Sequence, residues 1–399
     1  MPPNLRIALR FLTARKRSML MSLAGIVFGV GFFIVTQAQT SGFENFFIRT
    51  ILGTNGALRV ENPLRPAAAG ARSPSDGNIQ EPARVAAALR QFGNVAGVSQ
   101  ILQAGVNLVG ATAALPGRVC GVDLDDHLAV TDLARQILRG DLEDYRRTPN
   151  GALVGNVLAN WLQVGVGDSF AIEIHGQTRR YRVCAIYETG IRDIDKERVY
   201  LHLDEARSLL QRPGATSFIQ VSLFDPDRAP EDAAQIQAVI QHAVSSWQLR
   251  EKTWLEVFRA LRFSSALTVS TIILVAGLGM FNTLAMLVLE KTKEIAILRS
   301  MGYTRRDISG IFLWQGALVL VGGAVLGSLF GAAATWGVSR LPIRIRGIFS
   351  TDSFVVTWSP WHYLAAVGAA AAVVLVASYL PARRAARLEP GEVIRGNAQ

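Results

Sequence analysis

Four stretches of the chain, 18–43, 263–289, 308–339 and 353–382, contain no Asp, Glu, Lys or Arg. Each is longer than the roughly 20 residues that a helix needs to cross about 30 Å of hydrocarbon. A helix is the open element that satisfies all its own backbone groups in lipid. Their length and their richness in Gly and Ala argue against buried helices of a soluble protein. The pattern predicts four transmembrane helices at those positions.

Polarity returns between the first and second stretches. Alternating apolar and polar positions predict strands at 98–102, 106–109, 119–122, 170–174, 181–186, 199–203 and 218–224. The turn residues His175 and Gly176 lie between two of them. Helices are expected at 81–92, at 204–211 with Asp204 as N-cap, and at 230–246. Residues 152–161 read as a strand end leading into a helix, closed by 165–168. Residues 63–82 are rich in Pro, Ala, Gly and Ser and read as a loop. Helical patterning continues from the first stretch into 43–48, and from 254–262 into the second, so helical stalks join the insert to its spans. The expected fold class is a membrane protein with four transmembrane α-helices plus a large α+β extracytoplasmic domain inserted between helices 1 and 2.

Charge gives this layout a direction. The chain carries 41 Lys and Arg against 31 Asp and Glu, a net charge of +10. The insert, 44–262, is near neutral, with 24 basic and 25 acidic side chains. The excess flanks the spans, which excludes a nucleic-acid reading. Arg6, Arg10, Arg15, Lys16 and Arg17 precede the first span. Lys291, Lys293, Arg299, Arg305 and Arg306 lie between the second and third, and Arg383, Arg384, Arg387 and Arg395 follow the fourth. The positive-inside rule places these three segments in the cytoplasm. The expected organisation is a cytoplasmic amphipathic N-terminus at 1–17, the first span at 18–43 and the extracytoplasmic domain with its stalks at 44–262. The second span follows at 263–289, a cytoplasmic segment at 290–307, the third span at 308–339, a short outer loop at 340–352, the fourth span at 353–382 and a cytoplasmic C-terminus at 383–399. The first span follows a basic segment as a signal peptide does, but it is too long and lacks a small-x-small site, so it reads as an uncleaved anchor.

Candidate chemistry is sparse. No GxxxxGK[ST] phosphate loop, HExxH, GxSxG or clustered Cys/His spacing occurs, so the chain has no ATPase motif, catalytic constellation or metal site of its own. The histidines are scattered, and His362 is the one titratable candidate within a span. The driving energy is therefore expected from another chain. Cys120 and Cys184 both fall in the insert, where either a disulfide or two buried thiols fits.

The most informative segment is EKTKEIAILRSMGYTRRDI at 290–308. It resembles the coupling segment of the FtsX-like ABC permeases, and the likeness to that superfamily continues in FLWQG at 312–316, in PARRAARLEP at 381–390 and in the order of one span, a large outer domain and three further spans. Within that superfamily the chain is most similar to the lipoprotein-releasing, Lol-type permeases. This likeness lies in ALRFLTARKR at 8–17, SGFE at 41–44, RTILG at 49–53, GVD at 121–123, Val154-Gly155 with Leu158-Ala159, VGVGD at 164–168, and ETG at 188–190 with Asp195. One feature departs from the family. The connection His175–Arg180 is too short for the extension that one Lol-type subunit uses as a chaperone hook, which counts against chaperone docking here.

The resemblance implies a permease subunit in the bacterial inner membrane. Its implied partners are a cytoplasmic ABC ATPase dimer, which holds the ATP and Mg, and a second permease copy or paralogue. The family also admits a periplasmic chaperone or adaptor. The expected cargo is a lipoprotein drawn from the outer leaflet. The alternatives are export of peptides or small amphiphiles, as in MacB-like relatives, and FtsX-like signalling to an extracytoplasmic enzyme. The expected ATPase-coupling residues are Glu290, Lys293, Glu294, Ile295, Ile297, Leu298, Arg299, Met301 and Gly302. Ile295, Ile297, Leu298 and Met301 would serve as apolar anchors in a groove of the ATPase; a basic loop on anionic lipid is the alternative. Phe43, Phe46, Phe47, Phe258, Leu261 and Phe263 are the expected substrate path, where acyl chains would meet the stalks. An interfacial aromatic belt or stalk packing would use the same residues.

Overall fold

A computed structural model describes residues 6–8, 10, 16–62, 78–111, 113–341 and 354–387. The loop expected at 63–82 falls largely outside these residues, as do most of 1–17, most of the outer loop 340–352, and 388–399. The chain divides into two compact units. One comprises 1–44, 257–342 and 353–399, and the other 45–256 with 343–352.

The first unit is built on the helices Lys16–Asn55, Lys252–Glu290, Arg305–Ser339 and Pro360–Ala386, each long and apolar enough to cross a membrane. Their ends follow local chemistry. The third begins with a capping box, in which the Asp307 amide donates to Thr304 Oγ1 at 3.2 Å and the Thr304 amide to Asp307 Oδ2 at 3.0 Å. The fourth starts with Pro360, whose missing N–H costs nothing in a first turn. In lipid, helices associate by close packing rather than by the hydrophobic effect, so small residues mark the seams. Gly323, Gly327 and Gly331 form such a seam. A Cβ added at these positions would lie 2.6, 2.8 and 3.0 Å from Ile26, Val30 and Ile34 of the first span. Gly25 and Gly29 approach Ala276 and Ile273 of the second span in the same way. Ser22 and Thr283 hydroxyls add a polar contact at 3.3 Å.

Among the described residues the second unit holds ten strands: β1 (Leu58–Glu61), β2 (Val95–Val109), β3 (Ala114–Val122), β4 (Ile137–Gly140), β5 (Gly151–Gly155), β6 (Ser169–Ile174), β7 (Gln177–Tyr187), β8 (Arg198–His202), β9 (Phe218–Leu223) and β10 (Ala243–Ser246). Their order is β10-β1-β9-β2-β3-β8-β5-β7-β4, and β6 bridges β2 and β7. The pairings β2-β3-β8-β5-β7-β6-β2 close a ring, which removes edges there. Leu102, Leu108, Val119, Val154, Phe170, Val183 and Leu201 share its core. The flank β10-β1-β9-β2 with the helices Pro82–Leu89 and Ala229–Ile240 is a split β-α-β arrangement. It packs Leu58, Val85, Leu89, Val221, Ile236 and Trp247. The 15-residue β2 serves both parts: 95–101 pairs with β9 and 101–109 with β3.

The architecture is the expected one, with local corrections. The two strands expected at 98–102 and 106–109 are one. The helix expected at 230–246 stops at Ile240, because Gln241 turns left-handed at φ 53°, and 243–246 becomes β10. Asp204 is not an N-cap. It lies in the first turn of the helix Leu203–Leu209, where its charge still favours the helix N-terminus. β1 and the helix Leu124–Val130 were not anticipated. The strand expected from 181 begins at Gln177, so the β6–β7 turn consists of His175 and Gly176, with φ 49° and 77°. Positive φ at both central positions is what a tight hairpin turn requires. Cys120 and Cys184 are free, buried thiols.

His127 is buried on that unanticipated helix, 3.4 Å from Ser99 Oγ and against the Tyr200 ring. Burial, and then the charge of Arg198, push its pKa down to about 3. The unfolded chain takes up this proton below about 6.5 and the folded chain does not, so stability is lost as pH falls through that window. The shift corresponds to about 5 kcal/mol by pH 3. Intrinsic fluorescence during acid titration should show the outer unit opening. His127→Gln should flatten the pH dependence, and an unchanged profile would contradict the assignment.

Candidate functional site

The segment between the second and third spans contains a helix, Thr292–Ser300, joined to the second span through Lys291 and to the third through a turn. Gly302 makes the turn at φ +100°, a conformation that side chains rarely adopt. Its amide donates to the Arg299 carbonyl at 3.1 Å. The helix has two faces. Ile295 and Ala296 are buried, and Ile295 belongs to the core of the membrane unit, with Leu287, Ile308, Ile311, Ala382 and Ala385 in the same cluster. Arg299 Nη1 donates to the Ala386 carbonyl at 3.3 Å, tying the helix to the end of the fourth span. Leu298 packs partly against the same core. The outward face carries Lys293, Glu294, Ile297 and Met301; Ile297 is 55% and Met301 73% exposed. Glu294 pairs with Lys291, and Glu290 is exposed at the end of the second span.

Of the four expected anchors, Ile295 is therefore corrected. It is 1% exposed and serves the membrane unit's own core. Ile297 and Met301, spaced i,i+4, are the apolar residues that a partner could reach. Lys293 continues their line at i−4 from Ile297.

The stalk residues also separate. Phe43 and Phe258 pack on each other edge-to-face, with centroids 6.0 Å apart, and Phe258 is buried. Glu44, mostly covered, pairs with Arg262 at 3.4 Å. These contacts staple the first helix to the second, so Phe43 and Phe258 are packing residues in this chain. In the other unit Phe47 is buried and lies 5.6 Å from the Trp254 ring, and Phe46 is half-buried. Of the six expected residues, Leu261 and Phe263 present open apolar surface, at 52% and 71% exposure.

The outer-unit motifs meet in ways that spacing alone did not reveal. Asp195 Oδ1 accepts from the Thr189 amide at 2.9 Å and from its hydroxyl at 2.8 Å, and a Cβ on Gly155 would strike the Asp195 carbonyl. Thus Val154-Gly155, ETG at 188–190 and Asp195 form one knot. Burial raises the Asp195 carboxyl to about 6. Asp123 caps the helix Leu124–Val130, and Asp168 Oδ2 accepts from the Gly165 amide at 2.8 Å. These motifs are scaffolding. Among the described residues no group of His, Cys, Asp and Glu could hold a metal.

Comparison with known proteins bears on both units. The model of the MacB-like periplasmic core domain matches residues 19–239, more than half of the chain, and that of the FtsX-like permease C-terminal region matches 266–390. The chain belongs to the FtsX-like and MacB-like family of ABC transporter permeases. The permease is 26% identical to the lipoprotein-releasing system transmembrane protein LolC of Xylella fastidiosa (strain Temecula1), over 99% of both chains. It is 24% identical to LolC of Neisseria meningitidis serogroup B over 98% of both. It is also 25% identical to the uncharacterized ABC transporter permease YknZ of Bacillus subtilis over 98% of both. The crystal structure of the periplasmic region of MacB from Actinobacillus actinomycetemcomitans matches with a TM-score of 0.39 and 13% identity, covering 53% of this chain and 97% of that one. As a member of this family the permease is a multi-pass inner-membrane protein that works with an ATPase partner.

Proposed function

We propose that the permease extracts lipid-anchored proteins from the outer leaflet of the cytoplasmic membrane, driven by ATP hydrolysis on a separate ATPase dimer. The observation that carries this reading is the similarity to LolC along essentially the whole of both chains. In this reading 18–43, 263–289, 308–339 and the helical part of 353–382, which begins only at Pro360, lie in hydrocarbon, 44–262 lies outside, and 290–307 and both termini are cytoplasmic. ATP and Mg reside on the ATPase, and this chain contributes no cofactor site. A second permease copy or a paralogue completes the pathway, since four helices enclose little space. The two-residue turn between β6 and β7 counts against chaperone docking on this subunit.

Acyl chains would rest against Leu261 and Phe263, because apolar burial is non-directional and worth about 25 cal/mol per Å². Photo-crosslinkers at these two positions are expected to capture acylated protein without ATP and to lose it on ATP binding. Capture of small amphiphiles without acylated protein would favour the exporter reading instead. For orientation, cysteine placed at His175 should react with an impermeant maleimide from outside an intact cytoplasmic membrane; protection there would contradict the topology.

A further inference from the structure

We propose that the basic end of the four-helix unit is a docking surface for anionic phospholipid headgroups, with Arg383 and Arg387 as its principal contacts. The fourth helix has two continuous faces. Ala366, Ala370, Val374, Ala377, Ser378, Pro381, Ala382 and Ala385 are buried against the unit. The opposite stripe is exposed and apolar: Leu364 62%, Leu375 53%, Val376 64%, Tyr379 53% and Leu380 49%. At steps of three and four residues this stripe runs straight into the exposed Arg383 and Arg387. A helix rises 1.5 Å per residue, so Arg383 stands about 10 Å beyond Val376 on the same side. A face that is apolar along its length and cationic at its end suits acyl chains beside the first part and headgroups beside the second.

Charge complementarity supports the same occupant. Among the described residues neither arginine forms an ion pair, nor do Arg305 and Arg306 at the start of the antiparallel third helix. Gly316 of that helix faces Ser378, which brings the two basic ends level. Among the described residues at this end, Asp307 accepts from the Thr304 amide and Glu294 holds Lys291. The coupling helix packs on the buried side of the fourth helix, through Ile295 and Arg299, and leaves the arginine stripe uncovered. Anionic phosphate is the ligand that matches four guanidinium groups that form no ion pair among the described residues, at the edge of an apolar face.

The test uses the full complex of permease and ATPase, titrated with phosphatidylglycerol or phosphatidylcholine and read by native mass spectrometry. Each arginine near an anionic surface contributes roughly fivefold in affinity. The double variant Arg383→Gln, Arg387→Gln should lose phosphatidylglycerol about thirtyfold, with phosphatidylcholine binding, ATPase retention and melting temperature unchanged. Both side chains are exposed, so the fold is not at risk. Equal binding of the two lipids by the unaltered complex would overturn the proposal, and so would a double variant that keeps its preference. Loss of the ATPase with lipid preference intact would assign the arginines to the ATPase interface, and a disulfide between two copies carrying Val376→Cys would assign the stripe to a second copy; either result overturns it. None of these readouts depends on the transported cargo, so the lipid surface and the lipoprotein reading stand or fall separately.

Discussion

Aspartate at Ile297 together with aspartate at Met301 is expected to leave the permease folded and membrane-inserted while abolishing ATP-driven transport. Both side chains are more than half exposed, so the substitutions remove little packing. They instead place two carboxylates on the face that a partner groove would dehydrate, where an uncompensated charge is costly. Truncation of a central anchor in such a groove costs about 2 kcal/mol or more, roughly thirtyfold in affinity. Two charged replacements should reduce ATPase co-purification and stimulation below detection. Ile295→Asp is the contrast. Its side chain is fully enclosed with Leu287, Ile308 and Ala385, so it should fail by misfolding, seen as lost protein rather than as uncoupled protein. If the Ile297/Met301 double variant transports normally, the outward face of this helix is not the coupling surface.

Gly327→Leu is expected to collapse the membrane unit. A Cβ at this position would sit 2.9 Å from the Val27 carbonyl oxygen and 2.8 Å from Val30 Cβ. One obstacle is backbone, which cannot rotate aside as a flexible side chain can. Overpacking of a tight interface costs about 1–3 kcal/mol, and here the first and third helices would have to separate along a seam shared with Gly323 and Gly331. Gly327→Ala should already lower the melting temperature in detergent, and Gly327→Leu should prevent recovery of folded protein. Gly368→Leu on the fourth helix is the control. A Cβ there meets nothing within 4 Å, so the variant should be tolerated. Equal tolerance at both sites would show that the seam does not hold the unit together.

These predictions draw on sequence and structure in unequal parts. The spans were legible because hydrocarbon tolerates almost no charge, and 263–289 or 308–339 leave no other reading. The insert's α+β character was legible from alternation and turn residues such as His175-Gly176. The closure of the ring was not, because nothing in β2 marks that 101–109 pairs with β3 while 107–109 also pairs with β6. β10 was hidden because a left-handed glutamine, rather than Gly or Pro, ends the preceding helix.

The helix Thr292–Ser300 illustrates the limit of pattern reading. In 292–300 apolar residues fall on more than one face, and the partner that buries Ile295 and holds Arg299 is the end of a helix some 87 positions away in sequence. Local spacing could not tell the inward face from the outward one. The stalk phenylalanines were a similar case. Phe43 and Phe258 suit an acyl chain equally well by composition, and only their mutual packing, beside the Glu44–Arg262 pair, shows them already occupied.

In the proposed function this permease, with its ATPase, lifts lipid-anchored protein out of a membrane. The most direct measurement reconstitutes the complex in liposomes with a fluorescent triacylated protein in the outer leaflet and follows its appearance in the aqueous phase. Release should require ATP and the acyl chains and be lost with aspartate at Ile297 and Met301. ATP hydrolysis without release of acylated protein, or release that does not depend on acylation, would contradict it.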